Sequence, residues 1–97
     1  MKIVGRNKLD AFCRLHADAR KPVEGWLAET EEASWTTPQQ IKERYASVSF
    51  LAENRMIFNI KGNTYRLMTT IGFGAGVVVV DWVGTHSEYD AINWNRQ

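Results

Sequence analysis

The sequence predicts a small α+β protein, because helical signals fill its first half and strand signals fill its second half. Apolar residues recur at helical spacing before residue 45, whereas apolar and polar residues alternate between residues 55 and 68. A run of four valines follows at 77–80. Helices grouped before strands are typical of α+β proteins rather than of folds in which the two alternate.

The segment from residue 55 to residue 68 predicts an antiparallel hairpin. Gly62-Asn63 separates two alternating runs and tolerates the positive φ angles of a tight turn. A two-residue turn pairs Phe58 with Leu67, which keeps apolar side chains on one face, and a three-residue turn would mix the faces. The polar face of this hairpin then carries Arg55, Asn59, Lys61 and Arg66.

The valine run predicts a further strand that is buried on both faces and lies centrally in the sheet. Gly72, Gly74 and Gly76 mark the loop before it. Gly84 is expected to break this strand, so that Thr85 and His86 emerge where the backbone leaves the sheet. A side chain at such an exit has a rigid support and stays accessible to a ligand.

Three helices are expected before the hairpin, and residues 1–4 predict a short first strand. Asn7 and Asp10 resemble a capping box that opens a helix to about Arg20, with an apolar stripe of Leu9, Phe12, Cys13 and His16. Pro22 fits the first turn of a second helix, which buries Val23, Trp26, Leu27 and Thr30. Thr37 to Gln40 start a third helix. A short terminal helix is predicted at 91–95, with Asp90 as its favoured cap. Alternatively, Glu88 and Asp90 orient His86, as carboxylates often do for imidazoles.

The 97 residues predict one domain, 1–97, with a single core. No run approaches the roughly 18 apolar residues that a membrane helix needs, and no secretory signal leads the chain, so a cytoplasmic protein is expected. Cys13 is the single cysteine, which excludes an intrachain disulfide. Two histidines 70 positions apart do not form a zinc spacing, so neither a metal nor another cofactor is expected.

Net charge is only +1, but the charges are unevenly distributed. Residues 1–21 hold six Lys and Arg against two acids, and residues 22–36 hold four Glu and no base. Local patches rather than net charge decide where a polyanion binds. Two cations, an imidazole and a phenol near the predicted hairpin suit chemistry at a phosphodiester, and these side chains are Lys61, Arg66, His86 and Tyr89.

Two sequence blocks also carry a resemblance to a known family. The first is Phe-Asn-Ile-Lys-Gly-Asn-Thr-Tyr-Arg-Leu at 58–67, and the second is Gly-Thr-His-Ser-Glu-Tyr-Asp at 84–90. In this order and spacing they resemble the HigB toxins of bacterial type II toxin–antitoxin modules, which are relatives of RelE. The similarity extends from about Glu53 to Ile92 and is diffuse before that.

The resemblance implies a RelE-like domain in which N-terminal helices pack on an antiparallel sheet. It implies a metal-independent endoribonuclease that cleaves mRNA, commonly in the ribosomal A site. It also implies a HigA-like antitoxin with a helix-turn-helix domain as the partner.

Within this interpretation His86 is the general acid or base, because imidazole is suited to proton transfer near neutral pH. Arg66 would grip the scissile phosphate, and Lys61 would add electrostatic help or act as a base. Tyr89 would stack on a base or donate to a phosphate oxygen. Each also has a simpler interpretation, as a loop histidine, two solvated surface cations and a packed aromatic residue.

One region departs from the family pattern, because residues 68–77 carry no cation and Asp81 stands where a cation is common. By alternation Asp81 would share a face with Val79 and Val83. Either the toxin is weaker, or its RNA contacts come from Asn59 and Arg55 and from cations of the first helix, namely Lys8, Arg14 and Arg20. The same departure supports an alternative, a non-catalytic or degenerate toxin that only binds its antitoxin or the ribosome.

Overall fold

The structure is a computed structural model that describes residues 1–92. As the sequence predicts, most of the helices come before most of the strands. In chain order the elements are β1 (Lys2–Val4), α1 (Arg6–Leu15), a 3₁₀ turn (Ala17–Ala19), α2 (Arg20–Glu32), α3 (Pro38–Arg44), β2 (Ser49–Leu51), β3 (Arg55–Ile60), β4 (Tyr65–Gly72), β5 (Val77–Thr85) and α4 (His86–Ala91).

The five strands form one sheet in the order β1-β5-β4-β3-β2. The pairs β2–β3, β3–β4 and β4–β5 are antiparallel, as expected, and the pair β1–β5 is parallel. Helices α1 and α2 contribute Leu9, Phe12 and Trp26 to the core that covers one face of the sheet. The α+β prediction is therefore confirmed. The parallel pairing of the edge strand β1 was not expected from the sequence.

The β3–β4 hairpin has the predicted register, in which Phe58 pairs with Leu67 and Asn59 pairs with Arg66. Phe58 and Leu67 are almost completely buried, and burial of a large apolar side chain contributes about 1.5–3 kcal/mol. The turn differs from the expectation, because the positive φ angles belong to Lys61 (55°) and Gly62 (62°) rather than to Gly62 and Asn63. Strand alternation therefore ends at Ile60.

Strand β5 lies inside the sheet, between β1 and β4. Val78 and Val80 are fully buried, whereas Val77 and Val79 are only half-buried, so the prediction of burial on both faces is only partly correct. Gly84 does not break the strand, because β5 continues to Thr85. The strand instead contains a β-bulge beside Met68 and Thr69, which leaves Asp81 without a partner residue in β4.

The bulge corrects the predicted position of Asp81. Its carboxylate accepts a hydrogen bond of 2.5 Å from Thr70, whose partner across the sheet is Val79. Val83 pairs with Leu67 and packs against the core. Asp81 therefore shares the face of Val79 but not that of Val83, because the extra residue of a bulge interrupts the alternation.

Helix α1 begins earlier and ends earlier than its sequence pattern predicts. Its N-terminal cap is Gly5, with φ of 92° and no side-chain hydrogen bond, so the predicted capping box at Asn7 and Asp10 is wrong. The helix ends at Leu15, and a 3₁₀ turn leads into α2. Cys13 is buried, and this burial raises the pKa of its thiol, which keeps it in the unreactive form.

The other predicted helices fit better. Pro22 lies in the first turn of α2, and Val23, Trp26 and Thr30 are buried. Thr37 and Gln40 form the predicted capping box of α3. The predicted terminal helix is displaced, because α4 occupies 86–91, and residues 93–95 lie outside the described part. Within residues 1–92 no helix is long and apolar enough to cross a membrane.

Candidate active site

The candidate site lies on the face of the sheet opposite the helical core, where Arg66 is flanked by two neighbours. Asn59 pairs with it from β3, and Gly84 pairs with it from β5. Arg66 thus lies on the central strand of this face, near the start of that strand, and is only partly exposed. Because Gly84 has no side chain, the space on that side is left to groups from β5 and α4.

His86 is held at this position by the start of α4. Its backbone amide donates to the carbonyl of Thr64 in the β3–β4 turn at 3.2 Å. Thr85 caps the helix, since its hydroxyl accepts from the amide of Glu88 at 3.1 Å and its own amide donates to the Glu88 carboxylate at 2.8 Å. These hydrogen bonds hold His86 at the end of the sheet, next to Arg66.

Both ring nitrogens of His86 have a partner. Nη2 of Arg66 lies 2.9 Å from Nδ1, and a carboxylate oxygen of Asp90 lies 3.0 Å from Nε2. Because a guanidinium has only donors, Nδ1 must accept this hydrogen bond. The proton of the neutral ring therefore sits on Nε2, where it donates to Asp90. Arg66, His86 and Asp90 form a continuous chain of hydrogen bonds.

Tyr89 lies under the guanidinium, with the central carbon of Arg66 4.9 Å from the centre of the ring. Burial raises the pKa of the Tyr89 phenol, although the Arg66 charge opposes the shift. The phenol is therefore neutral at physiological pH. A cation over an aromatic ring is attracted to its face, so Tyr89 orients the guanidinium toward His86.

Two buried polar atoms beside this chain have no hydrogen-bond partner among the described residues, namely Oδ1 of Asn59 and Nε of Arg66. Leaving a buried polar atom unpaired costs about 1–3 kcal/mol. Asn59 and Arg66 pair across β3 and β4, so both atoms lie on the same face of the hairpin. The site therefore holds unused hydrogen-bonding capacity.

The predicted place of Lys61 on this polar face is wrong. Its ammonium lies 2.6 Å from the carboxylate of Asp18, which also accepts a 2.5 Å hydrogen bond from Tyr65. Tyr65 belongs to the core on the helical side of the sheet. The left-handed backbone at Lys61 turns its side chain to that side. The structure thus brings Arg66, His86 and Tyr89 together but leaves Lys61 elsewhere.

The predicted RNA-binding cations are also dispersed. Arg55 pairs with Thr70, four residues along the strand from the Asn59–Arg66 pair, which corresponds to about 13 Å. Lys8 of helix α1 donates to the carbonyl of Asp81, with 3.1 Å between the two atoms. Arg14 is exposed in the last turn of the same helix. Of these four residues predicted to bind RNA, only Asn59 lies next to the hydrogen-bonded residues Arg66, His86 and Asp90.

The prediction that Asp90 caps a terminal helix is wrong, because Asp90 lies inside α4 and contacts His86. The cap is Thr85, five residues earlier than expected for a helix at 91–95. The spacing Thr85-x-x-Glu88 is itself a capping-box signature and would have located the helix start. Residues 86 and 90 would then face each other one turn apart.

Replacement of Thr85 by alanine is expected to destabilise the protein by about 0.5–2 kcal/mol, because it removes the N-cap acceptor. Thermal unfolding measures this loss. Thr85→Ser keeps the hydroxyl and should restore the stability, and an equal loss in the serine variant would contradict a capping role.

A pH effect is expected at Asp18. The hydrogen bond from Lys61, followed by that from Tyr65, lowers the pKa of its carboxyl below the usual value. A lowered pKa gives a stabilisation that is complete above the unfolded value and disappears as pH falls through the folded value. Wild type should therefore unfold at a higher temperature than Asp18→Asn at a pH of about 6, which lies above the ordinary pKa of an aspartate. This difference should vanish below the folded pKa, and a constant difference would contradict the interaction.

Residues 19–92 match the model of a family described as HigB toxin, the RelE-like toxic component of a toxin–antitoxin system. No curated protein is found to match the chain. The matched segment extends from the end of the 3₁₀ turn through α4, so it includes the hairpin and the three hydrogen-bonded residues Arg66, His86 and Asp90. It covers well over half of the 97 residues. The chain therefore belongs to the HigB family of RelE-like toxins of toxin–antitoxin systems.

Proposed function

We propose that this toxin is an mRNA endonuclease that works without a metal ion. The hydrogen-bonded chain of Arg66, His86 and Asp90 carries this proposal. It combines a group that binds phosphate, a group that transfers protons and a carboxylate that fixes the imidazole. Internal cleavage of RNA requires a phosphate anchor and proton transfer, because the nucleophile is the 2′-hydroxyl of the substrate itself.

In the proposed reaction the 2′-hydroxyl gives its proton to solvent water, its oxygen bonds to phosphorus, and the bond from phosphorus to the 5′-oxygen breaks. The products are a 2′,3′-cyclic phosphate and a 5′-hydroxyl. Arg66 binds the phosphate oxygens, which gain negative charge in the transition state. His86 in its protonated form donates a proton to the departing 5′-oxygen.

Substrate binding and proton transfer are coupled in this arrangement. While Arg66 donates to Nδ1 of His86, that nitrogen holds no proton. A phosphate is a stronger acceptor for a guanidinium than a neutral imidazole is, so it would draw Arg66 away from the ring. Nδ1 can then carry the catalytic proton, and the carboxylate of Asp90 stabilises the resulting imidazolium through Nε2. Tyr89 keeps the guanidinium within reach.

The proposed substrate is mRNA in the ribosomal A site, and the proposed partner is a HigA-like antitoxin with a helix-turn-helix domain. A toxin of this kind acts in the cytoplasm, where messages are translated. The low net charge of +1 gives only weak long-range attraction for RNA, so binding would depend on local contacts.

A second candidate is a non-catalytic toxin that binds its antitoxin or the ribosome and leaves messages intact. It is favoured by the lack of any Lys or Arg from residue 67 to residue 92, which leaves Arg66 as the cation that contacts His86. This candidate needs no proton transfer. It predicts that removal of the His86 imidazole changes neither toxicity nor message integrity.

Primer extension on an abundant message after brief induction separates the two candidates. Wild type should produce cuts in phase with the reading frame, and His86→Ala should reduce them by about 10²–10⁴-fold, which is the usual contribution of a general acid. Ser87→Ala, an exposed neighbour in α4, is the matched control and should cut like wild type. Intact messages with folded wild type would favour the binding role, and cuts without phase would indicate a free ribonuclease.

A further inference from the structure

Trp82 lies on the same face of the sheet as Arg66 because of the bulge in β5. Val80 pairs with Thr69 in the buried layer, and strict alternation would return residue 82 to that layer. The extra residue, Asp81, shifts the pattern, so that Trp82 pairs with Met68 on the opposite face. Bulges often redirect a side chain in this way beside functional sites.

Gly84 allows the indole to lie flat along the strand. A Cβ atom at Gly84 would be 2.5 Å from both Cη2 and Cζ2 of Trp82, so the six-membered ring of the indole occupies the position where a side chain would begin. Gly84 is also the β5 partner of Arg66. The indole therefore extends from its own position toward the candidate phosphate site. A glycine within a strand commonly marks this kind of close approach.

The indole joins the groups of the candidate site. The ring centres of Trp82 and Tyr89 are 6.1 Å apart, and Tyr89 carries the Arg66 guanidinium on its face. All three side chains are partly exposed. Because residues 67–92 contain no Lys or Arg, the surface around Arg66 on β5 offers aromatic contact rather than further ionic contact. Aromatic rings take up unpaired nucleobases by stacking, without a need for charge.

We propose that Trp82 is a binding residue that stacks on an unpaired nucleobase adjacent to the phosphate held by Arg66. This inference rests on the proposed function, because it requires that the toxin binds single-stranded RNA. In β5, where residues 77–85 contain no Lys or Arg, the surface beside Arg66 would then bind a base rather than a phosphate. The phosphate contact then fixes the position of the strand, and the indole fixes the orientation of the neighbouring base.

The test uses messages with 2′-O-methyl groups, which cannot be cleaved, both free and held in the A site of programmed ribosomes. Trp82→Leu should weaken binding by about tenfold, which is a typical effect of removing one base–aromatic stack. Trp82→Phe should lose less binding affinity. Gly84→Ala should weaken binding about as much as Trp82→Leu, because the added Cβ atom displaces the intact indole. Phe50→Leu removes a 48% exposed aromatic side chain at the β2 edge and serves as the matched control.

Two readouts separate stacking from a structural effect. An abasic nucleotide at the stacked position should weaken binding to wild type by about tenfold and have little further effect on Trp82→Leu, since the partner is already absent. In protein labelled with 5-fluorotryptophan, RNA should shift the fluorine resonance of Trp82 and leave those of Trp26 and Trp35, which are buried in the core. The Trp82→Phe spectrum assigns the resonance.

The outcomes also separate this inference from the proposed function. If wild type cleaves messages and folded Trp82→Leu binds them equally well, the indole only covers Met68 and the stacking role is wrong. If binding depends on Trp82 and on the base but no message is cut, stacking stands and the nuclease proposal fails. Absence of binding to both the free and the ribosome-held message overturns the stacking role.

Discussion

Replacement of Arg66 by alanine is expected to reduce message cleavage by about 10²–10³-fold, which is the usual loss when one donor to a developing oxyanion is removed. The substitution removes the proposed phosphate ligand and the donor to Nδ1 of His86 at the same time. Arg66→Lys keeps the charge but lacks the planar fork that binds two phosphate oxygens. It should therefore recover only part of the activity.

Salt dependence gives a second measurement of the same contact. Each phosphate neutralised by a protein cation on single-stranded RNA contributes about −0.7 to the slope of log affinity against log salt concentration. Arg66→Ala should make this slope shallower by about that amount. Lys21→Ala removes an equal charge from an exposed position in α2 and serves as the control. Cleavage by folded Arg66→Ala at the wild-type rate would show that Arg66 does not bind the scissile phosphate.

The parts of the structure that the sequence predicts well are those where one local pattern decides. The hairpin register follows from the alternation around Phe58 and Leu67, because a slip by one residue would expose the whole apolar face. The capping box of α3 follows from Thr37 and Gln40 in the same way. Together with the two sequence blocks, this register is enough to group Arg66, His86 and Tyr89.

The errors occur where a single backbone event changes the pattern. A φ of 55° at Lys61 turns its side chain to Asp18, and the bulge at Asp81 separates Asp81 from the face of Val83. Neither event alters the apparent alternation of residue types. The parallel pairing of β1 with β5 joins residues 2–4 to residues 77–79, a contact too distant in sequence for a local pattern. For Asp90 the sequence favours a helix cap over a contact with His86, and the structure has the contact because α4 starts earlier than expected.

These errors also bear on the composition of the site. The sequence pattern predicts a second cation, Lys61, where the structure supplies a carboxylate, Asp90. A cation near the imidazole would favour electrostatic stabilisation of the phosphate, whereas a carboxylate fixes the tautomer and stabilises the protonated ring. The proposed mechanism therefore relies on one cation and on an oriented histidine. This makes cleavage more sensitive to the loss of Arg66 than two cations would.

Replacement of Gly5 by alanine is expected to destabilise the protein by about 2–5 kcal/mol, the sum of a backbone cost and a crowding cost. Gly5 has φ of 92°, which costs a side chain about 1–2 kcal/mol. A Cβ atom there would also lie 2.9 Å from the carbonyl oxygen of Val80 and 3.3 Å from its Cβ, and such crowding costs about 1–3 kcal/mol more. Since the contact is with backbone of a buried strand, it cannot be relieved by a rotamer change.

Gly25→Ala provides the matched comparison, because this glycine lies within α2 and a Cβ atom added to it would meet nothing within 4 Å. Alanine stabilises a helix interior by about 0.5–1 kcal/mol relative to glycine. Urea unfolding should therefore move the midpoint down for Gly5→Ala and up for Gly25→Ala. A protein of this size has only about 5–15 kcal/mol of stability, so the first variant approaches the limit of folding. A midpoint for Gly5→Ala equal to that of wild type would mean that β1 and α1 are not joined through this left-handed residue.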